Sequence, residues 1–407
     1  MKIEKINKIL IFLFLIFLPT QFGKHYFFDF SYIFGVRVDY LALTIYATDI
    51  LVFLLALLNL KILIPQLKKK GLFILLVFII INIFFSQLKI IALFRWIKIL
   101  EFLIIFYIFS RKKIQEKIYL HAFLISGAVE LFLSLAQLFS RHSLQGIFYY
   151  FGERLFTLST PGIAKTAVNG VEILRPYATF SHPNSLAGFY LLIYFFVLIK
   201  ISNQYLIRKN ILLLVSSLLV LLSFSKTAIL AYLILNTLYF ILKKNNCRFC
   251  TATKFLTALA VSLVFITAKN DPLSLGKRLE LITNASKIIC SNLLFGVGLG
   301  SYINAQKNYI SSYYLFINQP VHNIFLLLIS ELGIITGLYL AYHFILYTKS
   351  LPKHYWIIIM VIVFTGMFDH YWLTLQQNLL LAGVLLGSIE APSILRSGNL
   401  SNVLRRS

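Results

Sequence analysis

Apolar runs of roughly 15–25 residues recur from one end of the chain to the other, and Lys and Arg collect in short clusters between them. A helix needs about 20 residues, at 1.5 Å each, to cross the hydrocarbon of a bilayer. In lipid every backbone N–H and C=O must be satisfied inside the segment, so such runs specify helices. The alternating segments of a membrane barrel are absent. Composition agrees: 59% of the 407 residues are hydrophobic and the mean hydropathy is +0.84. The formal charge of +24 would suit a polyanion, but its confinement to the short segments is the positive-inside pattern. Topology therefore explains the charge, and no nucleic-acid partner is expected. The reading is an all-α polytopic membrane protein, a single integral membrane domain over residues 1–407.

Lys2, Lys5 and Lys8 assign the start of the chain to the inner side. Helices are expected near 9–22, 40–60, 71–87, 90–109, 118–139, 184–201, 210–224, 227–242, 254–268, 321–347, 355–368 and 372–389, about twelve in all. With that count Lys68–Lys70, Arg111–Lys113, Arg208-Lys209, Lys243-Lys244, Lys349 and Lys353 all fall inside. Residues 9–22 lack a small-residue cleavage site and read as a retained first helix. The two long connections, 140–182 and 269–320, fall outside, the second just before helix ten. Loops carry function, so the chemistry is expected on the outer face. In 269–320, Leu279, Ile282, Ile288 and Ile289 alternate with Lys277, Arg278, Glu280 and Lys287, a pattern for an amphipathic helix on the membrane surface. Cys247-x-x-Cys250 has no second pair to complete a zinc site, and Cys290 lies on the other side, so reduced thiols and no metal are expected.

The most informative stretch is PVHNIFLLLISELGIITG, Pro320 to Gly337. Gly333 follows His322 by eleven residues, about three helical turns, so the two are expected on one face, with Thr336 and Gly337 one turn on. That face joins an imidazole to a small-residue groove where another helix can approach. His322 is a candidate general base or a structural hydrogen-bonder. Arg175, before Pro176 in RPYATFSHPNSLAG, sits in extended chain. It suits either bidentate phosphate contacts or an interface position. Pro183 and Asn184 mark the start of helix six; Lys226, after Ser225, and Arg278 are further candidate cations. Asp369-His370 lies in another outer turn, able to orient a partner in the same cavity. Gly296-x-Gly298-x-Gly300 follows no strand and reads as a flexible or close-packed turn. Charges inside the apolar runs, namely Asp49, Arg95, Lys98, Glu101, Glu130 and Glu331, need partners. Most are read as clamps between helices. Arg95 is the expected functional exception, with Asp49, near the middle of helix two, as its counter-ion.

Together these residues resemble the O-antigen ligase family. His322-Asn323, nine residues, Gly333, two residues and Thr336 is similar to its signature H-[NSQ]-x9-G-x-x-[GTY]. RPYATFSHPN at 175–184, the Ser225-Lys226 turn (where the family usually has Ser-Arg), RLEL followed by GVGLG, and Asp369-His370-Tyr371 resemble further family motifs in the same order. The likeness runs from about Asp39 to helix twelve. It implies glycosyl transfer at the periplasmic face of the inner membrane, from undecaprenyl diphosphate to a sugar of the lipid A core, without metal, nucleotide or other cofactor. It implies catalytic roles for His322 as base and for Arg175 and Arg278 on the diphosphate. Substrate-binding roles fall to Lys226, Asn184, Asn323, Asp369 and His370. A polymerase joining lipid-linked repeat units and a protein O-oligosaccharyltransferase belong to the same superfamily. A transporter or lipid-linked sugar flippase is the non-enzyme alternative, against which stand unmatched halves and polar residues gathered in the outer loops.

Overall fold

The computed structural model describes residues 2–168, 170–242, 274–310 and 318–389, with four further positions between 259 and 266. Cys247, Cys250, the tail, and the helix expected at 254–268 apart from those positions lie outside the described residues. The helices are α1 (Lys2–Phe17), α2 (Ala47–Leu58), α3 (Leu60–Leu67), α4 (Lys70–Phe85), α5 (Lys89–Arg111), α6 (Glu116–Ser140), α7 (Pro183–Lys200), α8 (Leu206–Leu222) and α9 (Lys226–Leu242). After the undescribed stretch come α10 (Ser274–Ser291), α11 (Tyr302–Gln306), α12 (Ile324–Ser350), α13 (Trp356–Gly366), α14 (Tyr371–Thr374) and α15 (Gln376–Ser388). Among the described residues four helical segments are long and apolar enough to cross a membrane: Glu116–Ser140, Pro183–Lys200, Asn203–Leu222 and Ile324–Ser350. A fifth would be the pair α2 and α3, bent by 83°. Asn59 sits at that bend, accepting from Asn7 Nδ2 at 2.8 Å and donating to Leu55 O at 2.7 Å.

The chain is not wholly helical. Among the described residues three short antiparallel strand pairs occupy its loops: β1 (Gly23–Tyr26) with β4 (Leu43–Tyr46), β2 (Tyr32–Ile33) with β3 (Val36–Arg37), and β5 (Lys165–Val168) with β6 (Val171–Leu174). The first takes residues expected in helix two, so that helix starts only at Ala47. Asp49 is consequently in its first turn, not its middle, and accepts from the Tyr46 N–H at 2.9 Å.

At the centre lies α7, buried from Pro183 to Leu198 except at Asn184 and packed on α8, α9, α13 and α15. A helix apolar on every side belongs inside a bundle. Across it, α15 lies on α5 through Gly383 and Gly387, whose missing side chains let the helix approach the carbonyls of Phe102 and Phe106. The charges on α5 are answered by side chains, but not in the expected pairing. Lys98, not Arg95, forms the ion pair with Asp49, and lies 3.7 Å from Glu101. Gln376 donates to both carboxylates at 2.7 Å. Arg95 turns to the backbone instead, donating to Tyr40 O and Thr374 O at 2.7 and 3.2 Å.

The helix α12 is broken at Gly333, which has φ 70° and ψ 173°. His322 and Gly333 therefore do not share a helical face, and the close partner at Gly333 is not a neighbouring helix. The break frees backbone groups, and residues 293–298 bond to them: Val297 N–H to Ser330 O at 2.9 Å, Gly298 N–H to Glu331 O at 2.9 Å, and Ile334 N–H to Leu293 O at 2.8 Å. Non-helical backbone within an apolar bundle is tolerable only when paired in this way. Asn82 completes the junction, donating to Glu331 O and accepting from Leu299 N–H and Trp96 Nε1. The glycine-rich turn is thus close-packed.

The helix α10 forms as expected. Leu281, Ala285 and Ile288 are buried, whereas Leu279 and Ile282 are exposed. The buried three share a cluster with Val321 and Leu327, so α10 rests on the start of α12.

A Cβ on residue 333 would both strain the left-handed backbone and meet Leu294 O, whereas Gly337 on the same helix faces open space. Gly333→Ala should lower stability by about 1–3 kcal/mol or more, whereas Gly337→Ala should leave it unchanged or slightly raised. Thermal melting of the detergent-solubilised protein checks this. Equal melting of the two variants would contradict the interlocked break.

Candidate active site

The segment RPYATFSHPN is moulded onto α6 by two buried side chains. Gln137 accepts from the N–H groups of Tyr177 and Ala178 at 2.9 and 2.7 Å, and donates to Ala178 O and Glu153. Glu130 accepts from Thr179 N and Oγ1 at 3.1 and 2.6 Å. Ala178 takes a left-handed φ of 49° between them. This anchoring delivers Arg175 into the bundle end, where it is only 8% exposed.

From Arg175 a continuous polar chain runs across four elements. Arg175 Nε donates to Ser223 O at 2.9 Å, in the turn that leads to Lys226 at the head of α9. Its Nη2 donates to Asn184 Oδ1 at 2.6 Å. Asn184 Nδ2 donates to Asp369 Oδ2 at 2.8 Å. Asp369 Oδ1 accepts the His370 N–H at 2.8 Å and lies 3.5 Å from His322 Nδ1. Asn323, to which the resemblance gives a substrate-binding role, positions backbone in this structure. Its Oδ1 caps α12 through the N–H groups of Phe325 and Leu326, and its Nδ2 holds Met367 O at 3.1 Å. One residue thereby fixes both the helix that follows His322 and the turn that carries Asp369.

Three imidazoles surround this carboxylate. The His322 and His370 rings are 5.2 Å apart, and Tyr40 meets His370 edge-on at 5.5 Å. His370 Nδ1 bonds to Thr374 Oγ1 at 2.8 Å. His182 Nδ1 accepts the Asn184 N–H at 3.1 Å. Burial, and then the nearby Arg175 charge, pull His182 down to about 3. Burial pulls His370 down to about 3 against the attraction of Asp369. Burial also opposes ionisation of Asp369, but the hydrogen bond and charge of His322, with the other imidazoles, hold its carboxyl well below the usual range. A charged Asp369 beside Nδ1 selects the His322 tautomer with its proton there, leaving Nε2 as the basic atom.

Burial lowers Arg175 to about 10, still charged at neutral pH. Two of its five N–H donors are committed to Ser223 and Asn184, and the rest face no acceptor among the described residues. Arg278 is half-buried on α10, pairs with no carboxylate among the described residues, and lies within electrostatic reach of both Arg175 and His370. The arrangement presents guanidinium groups from two loops beside an oriented imidazole, suited to an anionic leaving group and a hydroxyl nucleophile.

His322, Asp369 and His370 have donor atoms within 4.8 Å of one another and are the described residues that could hold a metal. Both Asp369 oxygens already accept hydrogen bonds, and Arg175 adjoins, which disfavours a dication there. Sequence reasoning gives no role to Gln137, Glu153 or His182; only the polar interruptions of α6 and the histidine within RPYATFSHPN signal them.

Residues 211–341 match the family model described as O-antigen ligase. The match spans Lys226, Arg278, His322 and Asn323; Arg175, Asn184, Asp369 and His370 lie outside it. No curated protein and no solved structure matches the chain.

His182 and His370 titrate near 6.5 when unfolded and near 3 when folded, so folding is favoured above pH 6.5 and loses stability as pH falls toward 3. The slope should approach about 1.4 kcal/mol per pH unit for each imidazole. Melting temperature should fall between pH 7 and 4, and His370→Gln should flatten the fall. Melting that ignores pH in this window would contradict the buried neutral imidazoles.

Proposed function

We propose, for a chain that belongs to the O-antigen ligase superfamily through residues 211–341, an O-antigen ligase-like glycosyltransferase using a glycan on undecaprenyl diphosphate. The acceptor is a sugar of the lipid A core. The observation that carries this reading is the linked chain Arg175–Asn184–Asp369–His322 with Arg278 in reach. In this mechanism His322 Nε2 takes the proton of the acceptor hydroxyl as its oxygen attacks C1 of the first sugar. The C1–O bond to the diphosphate breaks, and its electron pair leaves with the phosphate. Arg175 and Arg278 stabilise the charge that grows there. In-line attack inverts the anomeric centre. Asp369 orients His322, while Asn184 and Asn323 position that carboxylate; Lys226 and His370 border the substrate. No metal takes part.

In the same reading about twelve helices span the inner membrane. Residues 140–182 and 269–320 lie in the periplasm, and the lysine and arginine clusters between helices lie in the cytoplasm. Arg175, Asp369 and His322 then share the outer face. A polymerase of the superfamily is separated from a ligase by the product. Loss of a ligase leaves free lipid A core with long polymer on the carrier, and loss of a polymerase leaves core bearing a single repeat.

With purified protein, lipid-linked glycan and lipid A core, Arg175→Ala and Arg278→Ala should each slow transfer by about 10²–10³-fold. Arg→Lys should restore only part, because an ammonium lacks the bidentate fork. His322→Ala should cost about 10²–10⁴-fold. Full activity in any Ala variant at normal expression removes that residue from the mechanism. Chelation by EDTA should change nothing, and a strict need for a divalent ion would overturn the metal-free reading.

A further inference from the structure

Between α2 and α4 the chain turns aside. Asn59 ends α2, and α3 leaves it at 83°. This bend sits at the end of the bundle far from the histidines. Asn59 is bonded to Asn7, which lies between Lys5 and Lys8 on α1. Lys69, just after α3, packs over the Tyr107 ring near the end of α5, 5.8 Å from its centre. Along α5, Arg111 lies about 24 Å beyond Arg95, which borders the histidine cluster through Thr374. A helix that leaves α2 at nearly a right angle runs across this end of the bundle.

The sides of α3 differ in kind. Leu60, Ile64 and Leu67 fall within an arc of about 60° and are exposed. Lys61 and Lys68, also exposed, flank that stripe at about 80–100° from Leu60. Gln66 is buried on the side turned to the bundle. Pro65 has no N–H to give to Lys61 O, and that carbonyl belongs to the lysine side, where water can answer it. Three environments are thus separated around one short helix: protein, hydrocarbon and water. The boundary of a bilayer offers the last two side by side.

The charge of this corner points to its partner. Among the described residues no carboxylate lies within ion-pair distance of Lys61, Lys68, Lys69 or Lys70. Lys69 also lies within electrostatic reach of Arg111; burial, and then that charge, pull its ammonium below its ordinary value. Cations gathered without an acid select an anionic surface, and lysine stems reach from apolar surface to phosphate. We propose that α3 is an interfacial helix, lying in the plane of the leaflet at the lysine-rich end of the bundle. Its Leu60–Ile64–Leu67 stripe rests in the acyl boundary, and Lys61, Lys68 and Lys70 meet the phosphates of anionic phospholipids. The helix is then a crossbar that fixes the depth of α2 and α4, not a piece of a membrane span. The inference goes beyond the transferase reading and does not depend on it.

Two measurements on the full-length protein test this. Leu60→Cys, Ile64→Cys and Leu67→Cys, each combined with Cys247→Ser, Cys250→Ser and Cys290→Ser, carry a fluorophore in vesicles of phosphatidylcholine and phosphatidylglycerol. Lipids with quenchers at graded depths then read where each position sits. All three should share one shallow depth. A depth that changes by about 1.5 Å per residue, about 10 Å from 60 to 67, would make α3 part of a span and overturn the proposal. So would full quenching of all three by aqueous iodide. For the charges, the detergent-purified protein is offered equal amounts of the two lipids, and native mass spectrometry counts those retained. Lys61→Gln/Lys68→Gln/Lys69→Gln/Lys70→Gln should lower phosphatidylglycerol retention at least about threefold. Lys24→Gln/Lys89→Gln/Lys287→Gln/Lys307→Gln, which removes the same charge elsewhere, should leave it near wild type. Unchanged retention in the first variant, or an equal fall in the second, would overturn the anionic-lipid assignment. The depth measurement uses neither lysine variant, so it decides the placement of α3 even if the first does not fold.

Discussion

Asp369 is the point where the separate parts of this bundle meet. Its two oxygens accept from Asn184 on α7 and from the His370 N–H, and it faces His322 at the head of α12. A buried carboxylate is costly unless every lone pair is answered, so each of these donors is needed for the others to stay in place. Through Asn184 the constraint passes to Arg175 and on to the turn before α9. Four elements far apart in sequence are thereby registered to one charge.

The second organising feature is the broken helix. Had α12 run straight, its carbonyls would be satisfied internally and residues 293–298 would lose the bonds to Ser330 O, Glu331 O and the Ile334 N–H. The break at Gly333 exposes backbone groups that those residues bond, which docks the stretch after α10 against the bundle. Because α10 carries Arg278 and also packs on Val321 and Leu327, the break helps hold that guanidinium within electrostatic reach of His370. Glu331, two residues before the break, then shares a cavity with Arg95.

Much of this is legible in the sequence because the informative residues interrupt apolar runs. His322-Asn323, Arg175, Asn184 and Asp369-His370 stand out as polar groups beside Pro or at helix ends. What spacing does not convey is which partner each one finds. Position along the runs pairs Asp49 with Arg95, but Lys98, three residues on, reaches it from the adjacent face of α5. The inward face of α10 is ambiguous because Leu279 and Ile282 are as apolar as Leu281 and Ile288; only the contact with α12 distinguishes them. The eleven-residue interval to Gly333 reads as three helical turns because a positive φ leaves no trace in a hydrophobic pattern. The anchoring of Arg175 by Gln137 and Glu130 depends on contacts about 40 to 50 residues apart, beyond any local period.

In the proposed mechanism guanidinium groups from two loops and the His322 imidazole converge on one diphosphate. The most direct measurement is an electron cryomicroscopy map of the full-length protein with undecaprenyl-diphosphate-linked glycan bound. The expected map has Arg175 and Arg278 Nη atoms on the phosphate oxygens, His322 Nε2 facing C1 of the first sugar, and Asp369 still held by Asn184. A diphosphate bound elsewhere in the bundle, with either arginine turned away from it, would contradict that convergence.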